Sequence, residues 1–160
     1  MRLETRPPNI EGIGTVTQRD LVRNALRMRP DRIVVGEVRR GEALDMVQSM
    51  MSGHDGALST VHASSPLLAL VRLETLCLMS DVQLPVYVAR TQVASAIHVV
   101  VQVARRADGT RAVTAIHEVE GLDEREKYRL RPVFDRDHTV SVRSRPTMSQ
   151  VPTTRPPATT

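Results

Sequence analysis

Residues 32–62, RIVVGEVRRGEALDMVQSMMSGHDGALSTVH, carry two short apolar runs with an amphipathic stretch between them. The first run, RIVVG, does not alternate apolar with polar side chains. That is the pattern of a strand covered on both faces of a parallel sheet. Residues 41–51 repeat apolar side chains at helical spacing, which predicts a helix with Ala43, Leu44, Val47, Met50 and Met51 facing inward. The second run, ALSTVHA, predicts the next strand. Adjacent parallel strands need a long crossover, usually a helix, so this stretch alone points to an α/β layered sheet.

The flanks extend the same order. RLET suits a short strand, and RPPNIEGIG is a loop by its Pro and Gly content. Thr17 with Asp20 three residues on is a variant capping box. The helix it opens has Leu21, Val22, Ala25 and Leu26 on one face and the row Arg19, Arg23, Arg27 on another, and Pro30 stops it. Pro66 opens a third helix to about Met79, and Pro85 a fourth to about Ile97. HVVVQVARRADGTRAVTAIHEVEG then reads as an antiparallel hairpin about Asp108-Gly109. YRLRPVF and HTVSV suggest a second hairpin around residues 135–137. From Ser144 onward the chain is Pro, Thr and Ser with almost nothing to bury, the composition of a disordered tail.

Aromatic residues make up only 2% of the chain, so Leu, Val, Ala and Met must fill its core. The net charge of +4 is carried mostly by arginine and would suit nucleic acid, phosphate or an acidic partner. The arginines are spread out, with no aromatic interleaving on which bases could stack, which argues against specific nucleic-acid binding. The single cysteine, Cys77, excludes an internal disulfide and fits a reducing compartment. Its setting, LETLCLM, is that of a buried inert thiol. The first residues lack the apolar centre of a signal peptide, and no run reaches transmembrane length. The expectation is a cytosolic protein able to dock to a membrane complex.

The chemistry gathers where the apolar runs end. Ligands of open α/β sheets bind just beyond the carboxyl ends of the strands, and Glu37 stands at one such end. In phosphoryl-transfer enzymes an acid there serves the metal or its waters, or orients the attacking water. The plainer alternative is a strand-exit glutamate paired with Arg39 or Arg40. His62 ends the second run and would share the sheet edge with Glu37 if the strands are parallel. It could then hydrogen-bond a phosphate or a water, or simply be satisfied by backbone. A metal site from His54, Asp55, His62 and Glu37 matches neither the helical nor the finger spacing of zinc ligands, and no metal site is assigned. No G-x-x-x-x-G-K-[ST] occurs in the 160 residues.

RLETRPPNIEG, TQRDLVRNALRMRPDRIVVGEVR, GEALDMVQSMMSGHDGALSTVHA and RLETLCLM together resemble the C-terminal half of the ATPase domain in the type II/IV secretion ATPase superfamily. Among its branches they look most like the pilus-assembly ATPases of tight-adherence (Flp-type) systems. The resemblance runs from about residue 2 to about residue 120. It implies the C-terminal portion of a RecA-like P-loop ATPase core over 1–120, a β-hairpin extension over 121–143 and a disordered tail over 144–160. RIVVGEVR is similar to the family's Walker B segment, in which Glu37, after Gly36, would orient or activate the hydrolytic water. SGHDGALSTVH is similar to its histidine box, which implies roles near the nucleotide for His62 and, with it, Gly53, His54 and Thr60.

Arg27 and Arg29 resemble arginines that face phosphate or acidic groups in a hexamer, with Arg23 and Arg39 as further candidates. ATP, Mg2+, a homo-hexamer and inner-membrane platform proteins are implied for the intact motor, and a cytoplasmic place peripheral to the membrane. The family pattern has glycine where Arg40 stands and often asparagine where Ser64 stands. Its phosphate loop would lie upstream of residue 1. The expectation is therefore part of a motor that couples ATP hydrolysis to pilus assembly or secretion, inactive alone, with an exposed apolar patch and an unpaired sheet edge. The alternatives are a non-catalytic module that docks on intact subunits and, from charge alone, a binder of acidic polymers.

Overall fold

A computed structural model describes residues 1–54 and 56–136. The chain runs α1 (Gln18–Arg27), β1 (Val34–Val35), α2 (Glu42–Met51), β2 (Leu58–Ser59), α3 (Pro66–Leu78), α4 (Val86–Ala96), β3 (Val99–Arg105), β4 (Arg111–Leu122) and β5 (Tyr128–Asp135). β1 and β2 pair in parallel, with Val34 opposite Leu58 and Val35 opposite Ser59, and α2 is the crossover between them. Backbone bonds carry the pairing past the strands, from Leu58 N–H to Ile33 O (3.0 Å) and from Val38 N–H to Thr60 O (3.1 Å). The mixed α/β class expected from the sequence is the one the chain adopts.

The helices begin where their capping residues stand. Thr17 and Asp20 form the reciprocal capping box at α1, and Ser65 caps α3 with Pro66 in its first turn. Pro85 precedes α4. Leu44, Met46, Val47, Leu70, Cys77 and Val93 are fully buried, so α2, α3 and α4 share one aliphatic core. The Cys77 thiol is pushed up to about 12 by burial and by nearby Glu74, which leaves it inert.

Three local expectations are corrected. RLET forms no strand; the segment is held by a bridge between Arg6 and Val16. RIVVG is covered on one face only: Ile33 and Val35 are buried, whereas Val34 is 71% exposed beside Leu58 at 62%. The described helices cover one side of the β1–β2 pair, and alternation along the strand leaves the other side bare. Met51 is half exposed and Met46 takes its place in the core. The buried stripe of α2 passes through Ala43, Met46, Val47 and partly buried Met50, and Met51 lies one residue further round the helix.

β3, β4 and β5 form an antiparallel sheet in that order. The expected hairpin joins β3 to β4, and the Asp108 carboxylate accepts from the Thr110 N–H (2.9 Å) and hydroxyl (2.6 Å) at its turn. YRLRPVF pairs with β4, while its expected partner HTVSV and the tail from Ser144 lie outside the described residues. The sheet is tied to the helices at Glu74 of α3. Arg90 of α4 grips its two oxygens at 3.0 Å each, and the Tyr128 hydroxyl of β5 donates to Oε2 at 3.0 Å.

Candidate functional site

The turn after β1 is pinned from four directions. The Thr60 hydroxyl donates to Gly36 O at 2.5 Å, and Gln18 Nε2 at the start of α1 donates to Glu37 O at 2.5 Å. Glu42 Oε1, at the start of α2, accepts from the N–H groups of Arg39 (2.8 Å) and Arg40 (3.0 Å). Gly41 passes so close to the end of α3 that an added Cβ would lie 2.6 Å from Ser80 Cα. A side chain carried on such a turn has little freedom at its base.

Glu37 and His62 meet there. His62 Nε2 lies 2.8 Å from Glu37 Oε1, beyond the carboxyl ends of the two adjacent parallel strands. Arg39 holds the other oxygen, Oε2, through Nε (2.8 Å) and Nη2 (2.6 Å). The Glu37 side chain is 23% exposed and that of His62 is 86% exposed, so the acid is sheltered and the imidazole faces solvent. Arg39, and after it the smaller influence of His62, outweighs desolvation and holds the Glu37 carboxyl below the usual glutamate range. Arg39 is raised in return. The strand-exit pairing read from the sequence is thus with Arg39. Arg40 is exposed and makes no ion pair among the described residues.

The remaining candidates divide. Thr60 and Gly36 belong to the site through their mutual hydrogen bond, and an added Cβ at Gly36 would meet open space. Gly53 has φ +89°, a left-handed conformation that a side chain would strain. His54 Nδ1 lies 3.3 Å from Ser49 O at the end of α2, and its ring opens with Thr60 and His62 onto a groove of about 680 Å³ between β2 and β3. Asp55 lies outside the described residues.

Arg27 and Arg29 are exposed, Arg29 with φ 51°, and neither makes an ion pair among the described residues. Arg23 and Arg19 are engaged elsewhere: Asp45 of α2 receives Arg23 Nε at 3.0 Å and Arg19 Nε at 2.7 Å, and Arg19 also reaches Asp81. Arg23 is therefore a tie between α1 and α2, because a carboxylate only 12% exposed sits beneath it.

Sequence reasoning missed Gln18 and Glu42. Glu42 had a readable signal, an acid in the first turn of a helix just after a glycine, where it can accept backbone N–H groups. Gln18 had none, since its partner is the carbonyl of Glu37. The assembled group is one acid flanked by a cation and an imidazole, able to orient a water or meet a phosphate edge. Among the described residues no three His, Cys, Asp or Glu side chains gather to hold a metal by themselves.

A family model described as type II/IV secretion system protein matches residues 4–145. The chain belongs to that family. The match runs past residue 120, beyond the segments that carry the sequence resemblance, and takes in β5. The chain is 44% identical over 116 residues to a putative conjugal transfer protein of Mycobacterium tuberculosis, covering 72% of this chain and 32% of that protein. It is 46% identical over 94 residues to the type IV secretion system protein PtlH of Bordetella pertussis, covering 58% and 28%. The crystal structure of the VirB11 ATPase from the Brucella suis type IV secretion system, in complex with sulphate, superposes with a TM-score of 0.61 at 36% identity. That superposition covers 64% of this chain and 32% of the other. The chain spans about a third of the length of these relatives. No helix of the described residues in this secretion-family chain is long and apolar enough to cross a membrane.

Proposed function

We propose that these residues supply the acid and histidine of an ATP-hydrolysis site in a secretion or pilus-assembly motor. The observation that carries this reading is the meeting of Glu37 and His62 at 2.8 Å beyond the carboxyl ends of β1 and β2. There Glu37 orients the attacking water, and His62, exposed beside it, meets the phosphates and couples hydrolysis to movement. Mg2+ arriving with ATP would supply charge neutralisation on the phosphates. The 160 residues hold no G-x-x-x-x-G-K-[ST], so the cradle for the β- and γ-phosphates has to be contributed from outside them.

In the intact motor the reading includes a homo-hexamer, docked by inner-membrane platform proteins on the cytoplasmic side. Arg27 or Arg29, free of ion pairs among the described residues, would face a phosphate or an acid of a neighbouring subunit. Residues 1–120 would be the ATPase-domain part and 121–143 an extension of it. The finer placement, the tight-adherence branch, rests on the quoted segments from RLETRPPNIEG to RLETLCLM; the relatives named above are conjugal-transfer and type IV secretion proteins. A second reading is a non-catalytic module that docks on intact subunits, in which the pairing of Glu37 with Arg39 and His62 only braces the turn after β1.

ATP turnover tests both. The purified chain is expected to show negligible turnover and weak nucleotide affinity. A full-length subunit carrying these residues is expected to lose turnover in Glu37→Gln and His62→Ala, and Arg27→Ala and Arg29→Ala should lower turnover more than folding stability. A full-length Glu37→Gln subunit that turns over normally sinks the catalytic reading in favour of the second. Normal turnover in both arginine variants makes those arginines surface charge.

A further inference from the structure

Both oxygens of the Glu37 carboxylate are engaged from within its own chain. Oε1 faces His62, and Oε2 takes two nitrogens of Arg39 at 2.8 and 2.6 Å. Arg39 stands on the pinned turn, with its N–H and that of Arg40 on Glu42 Oε1 and with Gly41 against Ser80. Its side chain is 75% exposed, and an exposed ion pair between two free side chains would contribute little. This pair differs in that the backbone under both partners is fixed. A guanidinium fork that presents two N–H groups to one carboxylate also restricts the carboxylate's rotation, which a single-point ammonium cannot do.

We propose that Arg39 is the positioning residue of the Glu37 site, acting within its own subunit. Glu42 fixes the turn, Arg39 holds Oε2 and so sets the rotamer of the carboxylate, and Oε1 is left as the oxygen that meets His62 and an incoming water. The inference rests on the reading of Glu37 as the water-orienting acid. It replaces, for Arg39, a role toward a neighbouring subunit.

Two measurements test it. On the full chain, the Glu37 carboxyl is followed by carbon NMR through the carboxylate range, with the nuclear Overhauser contact between the Glu37 side chain and the His62 ring. Arg39→Gln is expected to raise the titration midpoint and abolish the contact. Arg39→Lys should keep part of the lowered midpoint, because the charge remains, and still lose the contact, because the fork is gone. A wild-type contact in both variants overturns the proposal, and an amide spectrum on each variant confirms that it is folded.

In a full-length subunit, Arg39→Gln is expected to lower kcat about 10-fold or more with KM within about twofold of wild type, since a misplaced catalytic group costs rate rather than binding. An inactive Glu37→Gln beside a fully active Arg39→Gln overturns the Arg39 assignment alone. A fully active Glu37→Gln overturns the reading of Glu37 on which it rests.

Discussion

His62 Nε2 and Glu37 Oε1 lie 2.8 Å apart, although each sits on its own strand end and a whole helix separates them in the chain. The contact depends on the parallel pairing of β1 with β2, since an antiparallel pair would place the two residues at opposite ends.

The first consequence is a pH dependence. The Glu37 carboxyl is held low chiefly by Arg39, with a smaller share from His62. Because the folded value is depressed, the pair's contribution to stability is complete above the unfolded glutamate value of about 4.3. It is lost as pH falls through the lower folded value. An NMR titration should place the Glu37 midpoint below the ordinary glutamate value; a midpoint at or above that value would show that the contact with Arg39 is not populated.

Thr60→Val should loosen the link between the strand ends. It removes the hydroxyl that donates to Gly36 O at 2.5 Å and leaves the carbonyl exposed to water. Denaturant melts are expected to show a loss of about 1 kcal/mol, the usual worth of one hydrogen bond. No loss would mean that water replaces the hydroxyl fully.

Gly41→Ala should cost more. Its methyl group would lie 2.6 Å from Ser80 Cα and 2.9 Å from Met79 O, both backbone atoms that cannot rotate away. A destabilisation of about 1–3 kcal/mol is expected, as for overpacking elsewhere. The measurement is again the denaturation midpoint, and a neutral result would mean that α3 ends further from this turn than described.

Glu74→Ala should detach the β3–β4–β5 sheet from the helices. The side chain of Glu74 is 9% exposed and accepts from Arg90 and Tyr128, whose hydroxyl is raised far above its ordinary value, chiefly by burial and then by Glu74. Removing the acid strands a partly buried guanidinium and a phenol, at a cost of about 3 kcal/mol. Hydrogen exchange is expected to speed up in β5 before α2, and uniform protection would contradict the clamp.

The bare face of the β1–β2 pair, with Val34 71% and Leu58 62% exposed, should drive self-association. Replacing both with lysine is expected to raise the fraction of monomer in sedimentation velocity, with the core unchanged because neither side chain is part of it. An equally associated double variant would place the sticky surface elsewhere.

The capping box at Thr17, the prolines opening α3 and α4, the α2 crossover and the Asp108-Gly109 hairpin were all legible in the sequence, because each depends on residues within a few positions of one another. So was the shared edge of Glu37 and His62, which follows once the strands are parallel. What the sequence could not carry is the choice among arginines. Arg23 and Arg39 look alike as neighbours of polar segments, yet Asp45 claims the first and Glu37 the second. Nor could it show that Gln18 and Glu42 brace the turn, or that Val34 stays bare. Local patterns set where helices and strands begin. Which long side chain reaches which carboxylate, and which strand face is covered, depends on distances across elements, and only the packing of α1, α2 and the strand pair decides those.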